Sequence, residues 1–330
     1  MRKKFFSGIA LAGAVALVAA GCSSGGDPDP TGTSGGTGTD TLTVGFAQTG
    51  SESGWRSANT ESMKAAFSAD NGFELVFNAA DNDAAAQIAA VRSFINQGVD
   101  AIVIAPIVED GWEDVLKEAK DAGIPVVLED RTVTASSDLF AGWVGLDFKS
   151  EGVKAGTWAK NEFGDTPTKM VVLEGTTGSA PANDRADGFN EAIAGSGITT
   201  LGSQTGDFTR DGGKTVMEGF LQKYGVDGID LVYAHNDDMA LGAIEAIEAA
   251  GAVPGKDIKI VSIDAVKDGM TALSEGKINY IVECNPLLGD LAAGLVKDVL
   301  AGKTVEKATF VEDGEFNQDQ ATEALPDRKY

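Results

Sequence analysis

Short, almost unbroken apolar runs recur along the chain from residue 41 onward, each followed by a longer stretch with helical periodicity. The runs are "LTVGFA", "FELVFNA", "DAIVIAP", "IPVVLED", "LFAGWVGLD", "TKMVVLEG", "ITTLGSQT", "DLVYAHN", "IKIVSID", "NYIVEC" and "ATFVEDG". They are rich in Val and Ile, and most show little polar alternation, as expected of strands buried on both faces of a sheet. Between them, "AAAQIAAVRSFINQG" repeats apolar residues at Ile88, Val91 and Ile95 and stops at Gly98, which predicts a helix. The stretch "DMALGAIEAIEAAG" predicts another, opened by an Asp cap and closed at Gly251. Strand–helix alternation of this kind builds parallel sheets with helices on both faces. Eleven strands crowd one open sheet, so two doubly wound α/β lobes fit better. The first is read from the units in 41–130 and the second from those in 148–283.

The first 40 residues break this pattern. Arg2, Lys3 and Lys4 precede the apolar stretch "FFSGIALAGAVALVAA", which is short for a membrane span and ends in "AAGC". Small residues ahead of a Cys resemble a bacterial lipobox, although Ala19 stands where Leu is usual. Residues 1–22 are therefore expected to be a lipoprotein signal with Cys22 as the lipidated residue. An ordinary signal peptide with a chance Cys is the other reading. Residues 23–40, "SSGGDPDPTGTSGGTGTD", are too polar and too rich in Gly to bury a core, and predict a flexible tether. Cys284 is the only other cysteine, so no bridge within a lipidated chain is expected, and it reads as a small core residue.

Charge narrows the partners. The net formal charge is −24, which argues against nucleic acid and against anionic lipid surfaces for the folded body. A single His leaves little for acid–base or metal chemistry. No GxGxxG follows a strand, and "FTRDGGKT" has Phe208 where a phosphate loop needs Gly, so no cofactor is expected. His235 reads as a residue shaping a strand end.

Ligands of open parallel sheets bind beyond the carboxyl ends of the strands. The segments there are "QTGSESGWR", "APIVEDGW", "EDR", "EGTTGSAPANDR", "QTGDFTR", "HNDD" and "SIDAV". They hold Trp, Phe, Arg, Asp and Asn. Asp130, with Arg131 beside it, suits an acceptor of hydroxyls better than a general acid, and so does Asp264.

Several blocks resemble a known family: "VGFAQTGSESGWR", "VRSFINQGVDAIVIAPIVEDGWEDVLKEAKDAGIPVVLEDR", "GDFTRDGGKTVMEGF", "VYAHNDDMALGAIEAI" and "PGKDIKIVSIDAV". They are similar, in order and spacing, to the extracytoplasmic sugar-binding proteins of bacterial ABC importers, of the ribose/galactose-binding type. "GSESGWR" and "AHNDDM" look most like the galactofuranose-binding branch. The resemblance implies a type I periplasmic binding protein: two lobes joined by a three-segment hinge and closing on one monosaccharide. It places the crossings near Val144, Cys284 and Phe310, so that 41–143 plus 284–309 form the N-terminal lobe and 144–283 plus 310–330 the C-terminal lobe. It also implies ligand contacts from Glu52, Ser53, Gly54, Trp55, Arg56, Asp130 and Arg131 in the first lobe, and from Arg185, Asn236 and Asp264 in the second. Trp55 and, facing it, Phe208 offer rings to sugar C–H faces, while the arginines offer forked donors to neighbouring hydroxyls. Ribose-type members usually carry an Asn where this chain has Ala105, a departure that fits a furanose better than ribopyranose.

Each residue also has a plainer reading: Trp55 as a core staple, Arg56 and Arg185 as solvated helix charges, Arg131 as a partner of Asp130 or Glu129, and Asp264 as the cap of a helix near Val266. The expected partners are a monosaccharide, an ABC permease with its ATPase, and the membrane through the lipid anchor alone, with the protein monomeric and outside the cytoplasm. The competing functions are a sugar- or autoinducer-binding protein serving a membrane receptor, and a cleft glycoside-processing enzyme. A repressor of the same fold would need a basic DNA-reading module in front, where this chain carries the leader.

Overall fold

The structure, a computed structural model, describes residues 41–330; the expected leader, Cys22 and the tether at 23–40 lie outside the described residues. All eleven apolar runs form strands: β1 (Leu42–Gln48), β2 (Phe73–Ala79), β3 (Ala101–Ile104), β4 (Val126–Asp130), β5 (Gly142–Gly145), β6 (Thr168–Glu174), β7 (Ile198–Thr205), β8 (Leu231–Ala234), β9 (Lys259–Asp264), β10 (Tyr280–Glu283) and β11 (Ala308–Phe310). A further strand, β12 (Glu315–Phe316), is only two residues long and has no period to read in sequence. The helices are α1 (Gly54–Ala66), α2 (Ala84–Gln97), α3 (Glu113–Asp121), α4 (Phe148–Phe163), α5 (Ala180–Ile193), α6 (Arg210–Tyr224), α7 (Asp237–Ala249), α8 (Lys267–Ser274), α9 (Gly289–Leu300) and α10 (Gln318–Ala324).

The strands sort into two six-stranded sheets, ordered β2-β1-β3-β4-β5-β11 and β7-β6-β8-β9-β10-β12. Every pair is parallel except β10 with β12. The two orders are the same winding used twice. In each, the strand order reverses beside the first strand, between β1 and β3 and between β6 and β8. That reversal opens a crevice at the carboxyl ends.

Packing follows the apolar stripes. Met63 and Phe67, from α1 and just past its end, pack with Val296 of α9 on one face of the first sheet, and Val91 and Phe94 of α2 with Leu116 of α3 on the other. In the second lobe, Met217 and Phe220 of α6 pack with Ile247 of α7, while Ala155 of α4 and Phe189 of α5 cover the opposite face. Helices α4 and α5 approach closely at Gly152, where a Cβ would stand 2.3 Å from the Arg185 carbonyl oxygen. That approach brings Glu151 within reach of Arg185.

Two local expectations change. Helix α7 is capped by Asn236, whose side chain accepts from the Met239 N–H at 3.0 Å, and both Asp237 and Asp238 lie in the first turn. Asn has the extended backbone and the short acceptor that a cap needs, so the Asp reading, at Asp238, is two positions late. At the lobe boundary, Val144 still pairs in β5 and Phe310 in β11, both in the first sheet. The chain therefore leaves the first sheet after Gly145 and after Phe310, because both residues are held by their mutual register. The C-terminal residues are ordered on the second lobe: α10 carries a capping box of Asn317 and Gln320, and its Ala321 joins the core beside α8.

Candidate functional site

The first-lobe wall is built by the turn between β1 and α1. Ser53 is extended at φ −146° and caps α1 by accepting from the Arg56 N–H at 3.0 Å. That cap sets Trp55 and Arg56 on the first turn, Trp55 reaching the Cys284 crossing and Arg56 the end of β4. The Trp55 indole N–H donates to the Cys284 carbonyl at 2.6 Å, and its ring packs among Leu146, Phe148 and Leu288. The Arg56 guanidinium lies 4.7 Å from that ring. It donates to Asp130 Oδ2 at 2.6 Å, to Glu52 Oε1 at 3.1 Å and to Asn59 Oδ1 at 3.2 Å. Asn59 in turn donates to Glu129 Oε2 at 3.2 Å and accepts from Gln48 at 2.8 Å.

Asp130 ends β4 at φ +59°, a left-handed conformation that turns its carboxylate toward Arg56. Arg131 follows. It donates to the Ile107 carbonyl at 3.3 Å and sits 3.5 Å from Glu52 and 3.6 Å from Asp130. Its guanidinium faces Phe208 of the second lobe at 5.3 Å.

The second-lobe wall is organised around Arg185. The Ser179 cap of α5 and the close α4 contact fix it. It donates to Glu151 Oε2 at 2.7 Å and to the His235 carbonyl at 2.7 Å, and its Nη2 lies 3.8 Å from Asp264 Oδ1. Phe208 stands at φ +62° in the turn before α6, over Gly175, where even a methyl group would collide at 1.9 Å. Asn236 caps α7 with its oxygen and donates to the Phe208 carbonyl at 3.1 Å, tying two wall segments together. Asp264 ends β9 at φ +126° and does not cap α8, whose first turn has no side-chain cap. Its Oδ2 is buried without a hydrogen-bond partner among the described residues.

These side chains converge on one cavity between the strand ends of the two sheets. Glu52, Ser53, Trp55, Arg56, Asp130, Arg131, Arg185, Phe208, Asn236 and Asp264 all line it. Gly54 does not; its N–H donates to Asp238 Oδ2 of the second lobe at 2.8 Å. The plainer readings of Arg56 and Arg185 as solvated charges fail, because both are buried. Phe148, Pro181 and Cys284 also line the cavity; none of them was expected there, and Cys284 was read as a core residue and a crossing. Cys284 is thus both a core residue and part of the wall. All three follow strand ends or open a helix, so the rule that found the others reaches them too. Glu151, inside α4, carries no such signal.

Electrostatics differ from group to group. Burial works against the charge of Arg56, but Asp130, Glu52 and Glu129 outweigh it and raise its pKa. Burial and the neighbouring Arg56 bring Arg131 down to about 10, so it stays a cation at neutral pH. Burial would raise Glu52, yet Arg56 and Arg131 pull it below the usual range. Burial, with Asp130 adding to it, pushes Glu129 up to about 8. Burial lifts Asp264 well above the ordinary carboxyl value, only partly offset by Arg185. His235 is held down to about 3 by burial and by Arg185, so it is neutral, and it lies outside the cavity wall.

Such a wall can grip a small polyol: forked donors, paired acceptors and two rings converge on it. Among the described residues no His/Cys/Asp/Glu cluster suits a metal. The lobes also touch beyond the cavity. The Glu109 N–H donates to the Gly178 carbonyl at 3.0 Å, and Asn183 donates to the Glu109 carboxylate at 2.6 Å.

Comparison with known proteins agrees with this geometry. The model of the periplasmic binding protein domain matches residues 44–304. The galactofuranose-binding protein YtfQ of Escherichia coli is 45% identical over 292 residues, 87% of this chain and 92% of that protein. A crystal structure from Mycobacterium smegmatis in complex with β-D-fucofuranose is 53% identical, with a TM-score of 0.85 over 88% of this chain and 95% of the other. The binding-protein component of the arabinose ABC transporter of Shewanella sp. ANA-3, bound to α- and β-L-arabinofuranose, is 45% identical, with a TM-score of 0.83 over 87% and 96%. With two doubly wound lobes, a walled cavity at their strand ends and these relatives, the chain belongs to the periplasmic binding protein family and is a binding protein, not an enzyme.

Proposed function

We propose that this protein is the extracytoplasmic sugar receptor of an ABC importer, holding one monosaccharide in furanose form between its lobes and presenting it to the permease. The observation that carries the reading is the cavity itself. Arg56, Arg131 and Arg185 are buried around it together with Asp130 and an Asp264 oxygen that has no hydrogen-bond partner among the described residues. Hydroxyl donors of a sugar complete that oxygen, and the guanidinium forks match vicinal oxygens. Hydrogen bonds to charged groups contribute roughly 1.5–3 kcal/mol each, so a few suffice for the ~8 kcal/mol of micromolar binding after the ordering costs. The lobe division follows the sheets, and closure swings one against the other about the strands that leave after Gly145, Glu283 and Phe310. The furanose assignment takes support from the ligands named for the three relatives.

Titration calorimetry with a sugar panel tests the reading. L-Arabinose, D-galactose and D-fucose, which form furanoses in solution, bind, with an apparent affinity lowered by their small furanose fraction. Ribopyranose or glucopyranose binding at least tenfold tighter than any of them contradicts the substrate assignment. The lipid anchor has its own check: a Cys22→Ser chain expressed in its host leaves the membrane fraction, and one that stays there removes Cys22 from that role.

A further inference from the structure

The turn that carries Asp264 is under backbone strain. Asp264 and Ala265 stand at φ +126° and +63°, positions that non-glycine residues adopt at a cost of order 1–3 kcal/mol each. Such a turn persists only where its surroundings hold it. Here the C-terminal tail does so. The Arg328 Nε donates to the Ala265 carbonyl at 2.6 Å, and the Lys267 N–H donates to the Tyr330 carbonyl at 2.7 Å. From the other side, the Cys284 N–H donates to the Asp264 carbonyl at 3.1 Å.

The same guanidinium grips the strand beside the turn. Arg328 Nη1 donates to Glu283 Oε1 at 2.7 Å, and the Tyr330 hydroxyl donates to that oxygen at 2.7 Å. Glu283 is the register partner of Asp264 and the last residue of β10 before the chain crosses between lobes. Its other oxygen accepts from the Gly314 N–H at 2.9 Å, on the segment of the third crossing. The guanidinium lies 4.5 Å from the Tyr330 ring and 5.1 Å from Phe316, so both rings steady its plane.

We propose that Arg328 is a positioning residue for the ligand-facing Asp264: one side chain ties the strained turn to two hinge crossings, so that the aim of the binding carboxylate and the geometry of the hinge are set together. The proposal rests on the sugar-receptor reading for its binding consequence, but the hold on the turn stands apart from it. Lysine cannot reproduce the grip, because an ammonium lacks the planar fork that reaches Ala265 and Glu283 at once.

The test is a double-mutant cycle read by calorimetry with D-galactose, beside amide exchange of the sugar-free full chain. Arg328→Ala and Arg328→Lys each weaken binding at least fivefold; the Lys variant keeps a cation beside Glu283 and guards against a fold lost to charge alone. Asp264→Asn weakens binding at least tenfold alone and less than threefold when combined with Arg328→Ala, because a mis-aimed carboxylate has little left to lose. Exchange of the Val266–Met270 amides rises at least tenfold in Arg328→Ala, while the β6 amides hold. Additive losses in the cycle, or wild-type affinity in both Arg328 variants, overturn the proposal. If the unaltered protein binds no sugar, the receptor reading fails, and exchange alone decides: unchanged protection of Val266–Met270 overturns the positioning role and raised exchange supports it.

Discussion

Each wall of the cavity sets an answered arginine beside an unanswered group, and the two unanswered groups are of opposite sense. On the first-lobe side, Arg56 has Asp130, Glu52 and Asn59, Asn59 has Glu129, and Arg131 leans on Glu52 and Asp130. Arg56 is answered there, but Arg131 Nε and Glu129 Oε1 are buried without a hydrogen-bond partner among the described residues. On the second-lobe side, Arg185 is answered by Glu151, but Asp264 Oδ2 has no partner and the carboxyl's pKa is raised by burial. The first wall thus keeps an unanswered donor, Arg131 Nε, and the second an unanswered acceptor, Asp264 Oδ2. On the proposed reading sugar hydroxyls, which both donate and accept, answer the two, so closing over a sugar is favoured where closing over nothing is not. Arginines fixed in advance and two groups left for the ligand make the closed state conditional.

Substitutions can break this contrast, the largest first. Asp130→Asn leaves Arg56 short of its nearest anion in a buried site; the fold loses about 3 kcal/mol, seen in denaturant midpoints without sugar. Asp264→Asn does the reverse: above pH 7 the sugar-free protein keeps or raises its Tm, while sugar affinity falls at least tenfold. Equal losses of stability in the two variants erase the contrast.

Among the carboxyls pushed up by burial are Glu129, to about 8, and Asp237, to about 7. The folded state holds those protons to higher pH than the unfolded chain, whose groups release them near 4. Stability from each is full below about pH 4 and is lost as pH rises through the folded value, up to ~1.4 kcal/mol per pH unit and proton. Urea midpoints measured from pH 4 to 8 therefore decline, and Asp237→Asn flattens the part up to about 7. An unchanged slope in that variant excludes Asp237 as a source.

Trp55→Ala removes the ring and its bond to the Cys284 carbonyl, and weakens sugar binding at least tenfold by calorimetry; undiminished affinity takes Trp55 out of the site. The smallest effect belongs to the contact beside the cavity. Asp238→Asn weakens the acceptor for the Gly54 N–H, so the closed population falls and the apparent affinity drops about threefold, with bound geometry unchanged. A tenfold loss would mean that Asp238 touches the ligand.

Much of this was legible in the residues because it is local. Buried strands announce themselves by unbroken Val/Ile runs, and even β7, with its polar edge pattern, kept its Gly-bounded length. The wall residues gathered at strand ends, so one rule of parallel sheets collected most of them. What escaped was tertiary. Nothing near Glu151 says that Arg185 will meet it, since the pairing depends on how closely α4 and α5 pack. Nothing in "LPDRKY" says that Arg328 will return to Ala265. The α7 cap was misplaced because Asn236 and the two following Asp residues all suit a cap by composition, and only the backbone angle chooses.

On the proposed reading the cavity holds a furanose, with Asp264 Oδ2 taking one of its hydroxyls. Carbon-13 NMR of uniformly labelled D-galactose mixed with a slight excess of protein reads the ring form directly from the anomeric carbon. The bound signal falls in the furanose region although the free pool is mostly pyranose, and Asp264→Asn removes it. A bound pyranose signal, or a furanose signal indifferent to that substitution, contradicts the account.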